Sequence, residues 1–183
     1  MREPIQFELK PFVPTRQTSA LTVCGSVARI ENTLSIAYLL SGELDKVTIP
    51  QLETGGERCN FLWEKTCFEF FLRPAQPDAS RYWEFNLSPS GDWNVFSLTG
   101  YRQGLREESA IATLPFQTKL STDKLSLFLS VDITELVGHQ DILLGISAVL
   151  IINATESFWA IAHPTQQADF HHPKSFILPL PKC

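Results

Sequence analysis

Short stretches of strict apolar–polar alternation recur from end to end of this chain, each broken off by Pro or Gly, and few folds accept that pattern. Ile5-Gln6-Phe7-Glu8-Leu9 alternates and stops at Pro11 and Pro14. In Lys124 to Asp132, Leu125, Leu127, Leu129 and Val131 point one way while Ser126 and Ser130 point the other. That is the signature of an antiparallel strand with one face buried. Ser19 to Ile30 and Asn32 to Leu40 repeat it around a tight turn at Glu31-Asn32, with Leu34, Ile36, Tyr38 and Leu40 on one side. Composition agrees: 12 Pro oppose helices, while 13 Phe and 4 Trp favour strands.

Three further runs, Cys67 to Leu72, Ile142 to Ile152 and Phe158 to Ala162, are apolar on both faces and suit central strands. One helical signal stands out. Asp132-Ile133-Thr134-Glu135 reads as a capping box, with Asp132 capping the amide of Glu135 and Gly138 ending the turn. A parallel sheet would need long crossover helices, which the pattern lacks. The expected fold is therefore all-β: a two-sheet antiparallel β-sandwich, immunoglobulin- or jelly-roll-like, with one short helix. Residues 1–183 form a single domain, with long loops over Gln51 to Arg58 and Leu98 to Ser109.

Charge narrows the function classes. Charged residues are 19% and hydrophobic ones 44%, which excludes a disordered chain or a coiled coil. A net charge of -5 argues against nucleic acid as a partner, since that affinity rests on Lys and Arg neutralising phosphates. The longest apolar stretch, Ile142 to Ile152, is interrupted by Gly145 and Ser147 and falls short of the roughly 20 residues of a membrane helix. Met1 to Lys10 carries Arg2, Glu3, Glu8 and Lys10, unlike a signal peptide, so a cytoplasmic location is expected. Cys24, Cys59, Cys67 and Cys183 then read as reduced thiols.

The stretch from Trp63 to Arg102 holds the chemistry. Trp83, Phe85 and Leu87 form one face of a strand; Tyr82, Glu84, Asn86 and Ser88 form the other. Glu69 projects from Phe68-Glu69-Phe70-Phe71, where a carboxylate is costly unless paired or hydrogen-bonded. On neighbouring strands, Glu69, Glu84 and Asn86 share a face, with Arg102 as counter-charge and Trp63, Trp93 and Tyr101 at the edge. Sugars are bound in this manner, by aromatic rings against C–H faces and carboxylates against hydroxyls. The plainer reading is a solvated outer face with a structural Glu–Arg pair. Paired carboxylates also allow glycosidase chemistry.

His163-Pro164 and Asp169-Phe170-His171-His172 supply weak metal candidates in His163, Asp169 and His171. Their spacing matches no ligand motif of defined geometry, and the adjacent His171 and His172 point oppositely on a strand. No nucleophile elbow, P-loop, dinucleotide fingerprint or HExxH motif occurs.

The blocks Trp63 to Leu72 and Tyr82-Trp83-Glu84-Phe85-Asn86-Leu87-Ser88-Pro89-Ser90-Gly91 resemble DOMON-like domains, a superfamily that includes family 9 carbohydrate-binding modules. Trp159-Ala160-Ile161-Ala162-His163-Pro164 and Asp169-Phe170-His171 add similarity to stand-alone bacterial, cyanobacterial-type members. The resemblance implies a sandwich with a ligand site on a concave sheet face. It also implies a sugar held between two Trp rings, Trp63 with Trp93 or Trp159; the C-terminal histidine cluster that includes His163 reads, from its residues alone, as a rim of the same pocket. Haem-binding relatives use Met and His ligands; the sole Met is Met1, so haem would need His163 with His171 or His172. Calcium sites of some relatives need a dense acidic loop, a kind not seen in this sequence.

The sequence thus predicts a non-catalytic domain for a sugar or sugar-like small molecule, with no cofactor and neither nucleic acid nor membrane as partner. The alternatives are a metal- or carboxylate-dependent enzyme acting on carbohydrate, a haem-binding DOMON domain, and a structural or partner-binding domain.

Overall fold

A computed structural model describes residues 3–51 and 56–182. Cys183 and part of the loop expected at Gln51 to Arg58 lie outside the described residues. The chain forms strands β1 (Ile5–Pro11), β2 (Leu21–Ile30), β3 (Thr33–Gly42), β4 (Cys67–Pro74), β5 (Tyr82–Leu87) and β6 (Trp93–Leu98). They continue as β7 (Arg106–Glu107), β8 (Phe116–Leu120), β9 (Lys124–Asp132), β10 (Ile142–Ile152), β11 (Thr155–Ala160) and β12 (Leu178–Leu180). Helix α1 (Thr134–Val137) is a single turn. No helix among the described residues is long and apolar enough to cross a membrane.

The all-β expectation holds, with hydrogen bonding that runs unbroken through one curled antiparallel sheet. Its order is β7-β6-β5-β4-β10-β11-β1-β2-β3-β9-β8, with β12 beside β10. Strand β1 makes the path continuous. Its residues Ile5 to Leu9 pair with β2, and Lys10 and Pro11 pair with Ala160 and Trp159 of β11. The curl brings Tyr38 of β3 against Phe68 of β4, with ring centroids 5.1 Å apart. Tyr38 Oη also donates to the Glu69 carbonyl at 2.7 Å. Both groups are buried, so Tyr38→Phe is expected to lower stability by about 1 kcal/mol. An unchanged urea midpoint would show that this bond contributes nothing.

Local readings survive with adjustments. Glu31 takes a left-handed φ of 53° in the β2–β3 turn, and Arg29 Nε donates to its carbonyl at 2.8 Å. The Asp132 side chain accepts from the amide of Thr134 at 2.8 Å rather than from that of Glu135, because the helix begins at Thr134, one residue later than a cap at Asp132 would place it. The run Phe158 to Ala162 is strand only to Ala160. The expected loop Leu98 to Ser109 contains β7, which pairs Phe96 and Ser97 with Glu107 and Arg106. Cys24 and Cys67 are thiols outside any disulfide, which excludes a Cys59–Cys67 bridge.

Strands β4, β5, β6 and β10 are covered on both sides, and this creates the site. Phe68, Phe70, Leu72, Trp83, Phe85, Leu87 and Val95 face the main core. On the opposite face Phe71, Tyr82, Phe96 and Leu98 form a second cluster with Phe176, against which Trp63 and Phe170 pack. The segment 161–177 therefore roofs a sheet face that in a simple sandwich would meet water.

Candidate functional site

Parity along the strands puts Glu69 of β4 and Glu84 and Asn86 of β5 on this roofed face. Glu69 stands opposite Asn86, and Phe71 opposite Glu84, so the two carboxyls are diagonal neighbours. Above them opens a cavity of about 510 Å³. Its apolar walls include Trp63, Leu98, Val149, Phe158 and Phe170, and its polar groups are Glu69, Glu84, Glu156, Arg102 and His171.

Glu69 is 3% exposed, and its Oε1 is buried with no hydrogen-bond partner. Burial pushes its carboxyl well above the ordinary range, repulsion from Glu84 pushes the same way, and the polar neighbour Ser147 eases the shift. Ser147 faces Glu69 across the β4–β10 ladder, yet its Oγ makes no hydrogen bond either. Glu84 Oε1 accepts from Asn86 Nδ2 at 2.7 Å. Burial raises Glu84 to about 7, against the lowering effects of Asn86 and Arg102.

The roof is clasped by Asp169. Its carboxylate accepts from Arg102 Nη2 at 2.9 Å and from Tyr101 Oη at 2.5 Å. Burial works to raise Asp169, but these two bonds outweigh it and hold the group below the usual carboxylate range. Arg102 has a left-handed φ of 55°, a conformation costing on the order of 1 kcal/mol for a non-glycine residue. Its amide donates to Tyr82 Oη at 3.2 Å. The Tyr82 proton is then available to His171 Nδ1, 2.8 Å away, which leaves the neutral ring's proton on Nε2. That nitrogen lies 3.8 Å from Glu84 Oε2. Burial and then Arg102 depress His171 to about 4, with Asp169 opposing, so the ring is neutral at physiological pH.

Trp63, Glu69, Glu84 and Arg102 of the sequence-predicted set thus line one cavity. Asn86 supports it from beneath through Glu84. Tyr101 is exposed and outside the lining, bound to Asp169. Other predicted residues sit elsewhere. Trp93 packs in the main core, with the Arg58 guanidinium 4.3 Å from its ring centroid. Trp159 is also core, its Nε1 donating to Ser157 Oγ at 3.0 Å. Both share the parity of core residues, so neither faces Trp63 across the cavity. His163 Nε2 is held at the Lys10 carbonyl, 2.8 Å away, outside the cavity lining.

No group of three His, Cys, Asp or Glu side chains among the described residues is arranged to hold a metal ion. His163, Asp169 and His171 have separate partners. A two-histidine haem site does not fit these residues. Only His171 lines the cavity, and His172 accepts from the Lys174 amide.

Sequence reasoning missed Phe158, Glu156 and the apolar wall residues. Glu156 and Phe158 alternate with Ser157 and Trp159 along β11, so their shared face was open to reading once the core role of Trp159 was known.

No protein-family profile matches this chain, and no curated protein matches it. Solved structures do. A candidate carbohydrate-binding protein from Bacteroides uniformis superposes with a TM-score of 0.68 at 15% identity, covering 95% of this chain and 85% of that one. The chain is similar in fold to family 9 carbohydrate-binding modules. One from Caldicellulosiruptor kristjanssonii, in complex with cellotriose, matches with a TM-score of 0.57 at 11% identity, over 98% of this chain and 82% of that chain. A family 9 module from the same organism, in complex with glucose, gives 0.54 at 12%, over 93% and 79%.

Proposed function

We propose that this chain is a non-catalytic binding domain whose cavity takes a sugar or sugar-like small molecule. The observation that carries the reading is the buried Glu69–Glu84 pair, with one carboxyl oxygen unpartnered, on the floor of an aromatic-walled cavity. Buried polar atoms normally have partners, and a ligand hydroxyl or amine supplies the missing donor. Trp63 supplies a ring for the apolar face of a sugar. Cellotriose and glucose in the structural neighbours support the ligand class. The narrower kinship with cyanobacterial-type DOMON-like proteins, and a cytoplasmic location, belong to the same proposal. The kinship is supported by the two blocks that carry the resemblance, which form β4, β5 and the floor of the cavity.

Isothermal titration against mono- and oligosaccharides tests this reading. Trp63→Ala is expected to weaken binding by about tenfold. The combination Trp63→Ala, Glu84→Ala and Arg102→Ala should abolish it in a protein that still melts cooperatively. Binding that survives all three places the site elsewhere.

A second reading, a carboxylate-dependent enzyme acting on carbohydrate, is favoured by Glu84 alone, because a carboxyl raised to about 7 suits general acid–base work. Release of a chromogenic aglycone by the wild type, but not by Glu84→Gln, would replace the non-catalytic reading.

A further inference from the structure

The cavity's polar atoms do not balance in charge. Three carboxyl side chains, Glu69, Glu84 and Glu156, face a single guanidinium, Arg102. That guanidinium is already engaged by Asp169 at 2.9 Å. His171 is neutral at physiological pH. A ligand carboxylate or phosphate would therefore meet carboxyls and no available cation.

Few donors reach the two carboxyls, and the Ser147 hydroxyl across the ladder makes no hydrogen bond to Glu69. Glu69 Oε1 is an acceptor, buried and unpartnered. Glu84 Oε2 has only His171 Nε2, at 3.8 Å, beyond hydrogen-bond length. The nearby amide Asn86 Nδ2 commits one of its two N–H groups to Glu84 Oε1. The walls suit a cation as well, since Trp63, Phe158 and Phe170 offer aromatic rings.

Resting on the sugar-binding reading, we propose that the ligand is an amino sugar, a small polyol whose protonated amine is received by Glu69 and Glu84. An ammonium brings several donors and a charge opposite to the carboxyls, while the ring's hydroxyls and C–H face use Trp63 and the cavity rim. A neutral sugar offers hydroxyl donors but no positive charge to favour the ionised form of these raised carboxyls.

Isothermal titration near neutral pH, with four probes, tests the assignment. These are glucosamine, N-acetylglucosamine, glucose and ethanolamine. Glucosamine is expected to bind at least about tenfold more tightly than the N-acetyl form or glucose. Glu69→Gln should bring that ratio close to one. Glu84→Gln, made in parallel, keeps the test open if the first variant fails to melt cooperatively, and it is expected to reduce the ratio likewise. Glucose binding as tightly as glucosamine overturns the amine assignment and leaves the sugar site standing. Ethanolamine binding as tightly as glucosamine overturns the sugar half of the assignment. Silence of all four probes overturns the amino-sugar assignment, while the sugar-binding reading falls only if the wider mono- and oligosaccharide titration is silent too.

Discussion

At pH 8 the Glu84→Gln variant is expected to be more stable than the wild type by about 3 kcal/mol, measured by urea unfolding. Folding carries Glu84 from an ordinary carboxylate value to about 7, with burial as the main cause. A group raised in the folded state favours folding at low pH, and that advantage is lost as pH climbs through the folded value. Above about 7 the fold must hold an ionised carboxylate beside Glu69, and glutamine removes that charge while keeping an oxygen for Asn86 Nδ2. A variant no more stable than wild type at pH 8 would contradict the account.

The shape of the pH profile provides a stricter check. Glu69 is raised for the same reason and acts in the same sense as Glu84. His171 works in the opposite sense. Its value falls to about 4 on folding, so its contribution is lost as pH drops below the unfolded histidine range of about 6.5. Between about pH 5 and 6.5 the folded wild type holds an extra proton on Glu84 and one fewer on His171, and the raised Glu69 adds to the uptake. Wild-type stability should therefore fall as pH rises through that window. Glu84→Gln should lose that fall. The double variant Glu69→Gln, Glu84→Gln should instead rise, because only His171 remains.

Phe70→Ala is expected to cost about 3–5 kcal/mol, a large share of the 5–15 kcal/mol that a domain typically has. Phe70 is fully buried and stacks on Phe85 with centroids 4.3 Å apart and planes 14° from parallel. The two residues are also directly opposed in the β4–β5 ladder. The sheet fixes their backbones, so neighbours cannot collapse into the space a removed ring leaves. A loss of unfolding free energy in urea smaller than about 1 kcal/mol would mean that the site repacks freely.

Much of the site was legible because parity along a strand is a local property. Once Phe68, Phe70, Trp83 and Phe85 are taken as core, Glu69, Glu84 and Asn86 must share the opposite face. The tryptophans were harder. An indole suits a core and a sugar platform equally, and only the positions of Trp93 and Trp159 against the main core separate them from Trp63. His163 was drawn toward the site by its closeness in sequence to Asp169. Its ring instead meets Phe12 and the Lys10 carbonyl, where β1 crosses from one half of the sheet to the other.

The amino-acid sequence by itself determined the all-β class, the faces of β4 and β5 and the presence of a carboxylate needing explanation, because side-chain alternation depends only on neighbouring residues. Only the tertiary structure decided that the explanation is a roofed cavity. The clasp from Arg102 to Asp169 joins residues far apart in the chain, and the segment 161–177 covers what would otherwise be an outer face. Burial raises Glu84 and Glu69 and lowers His171, and burial depends on that distant segment.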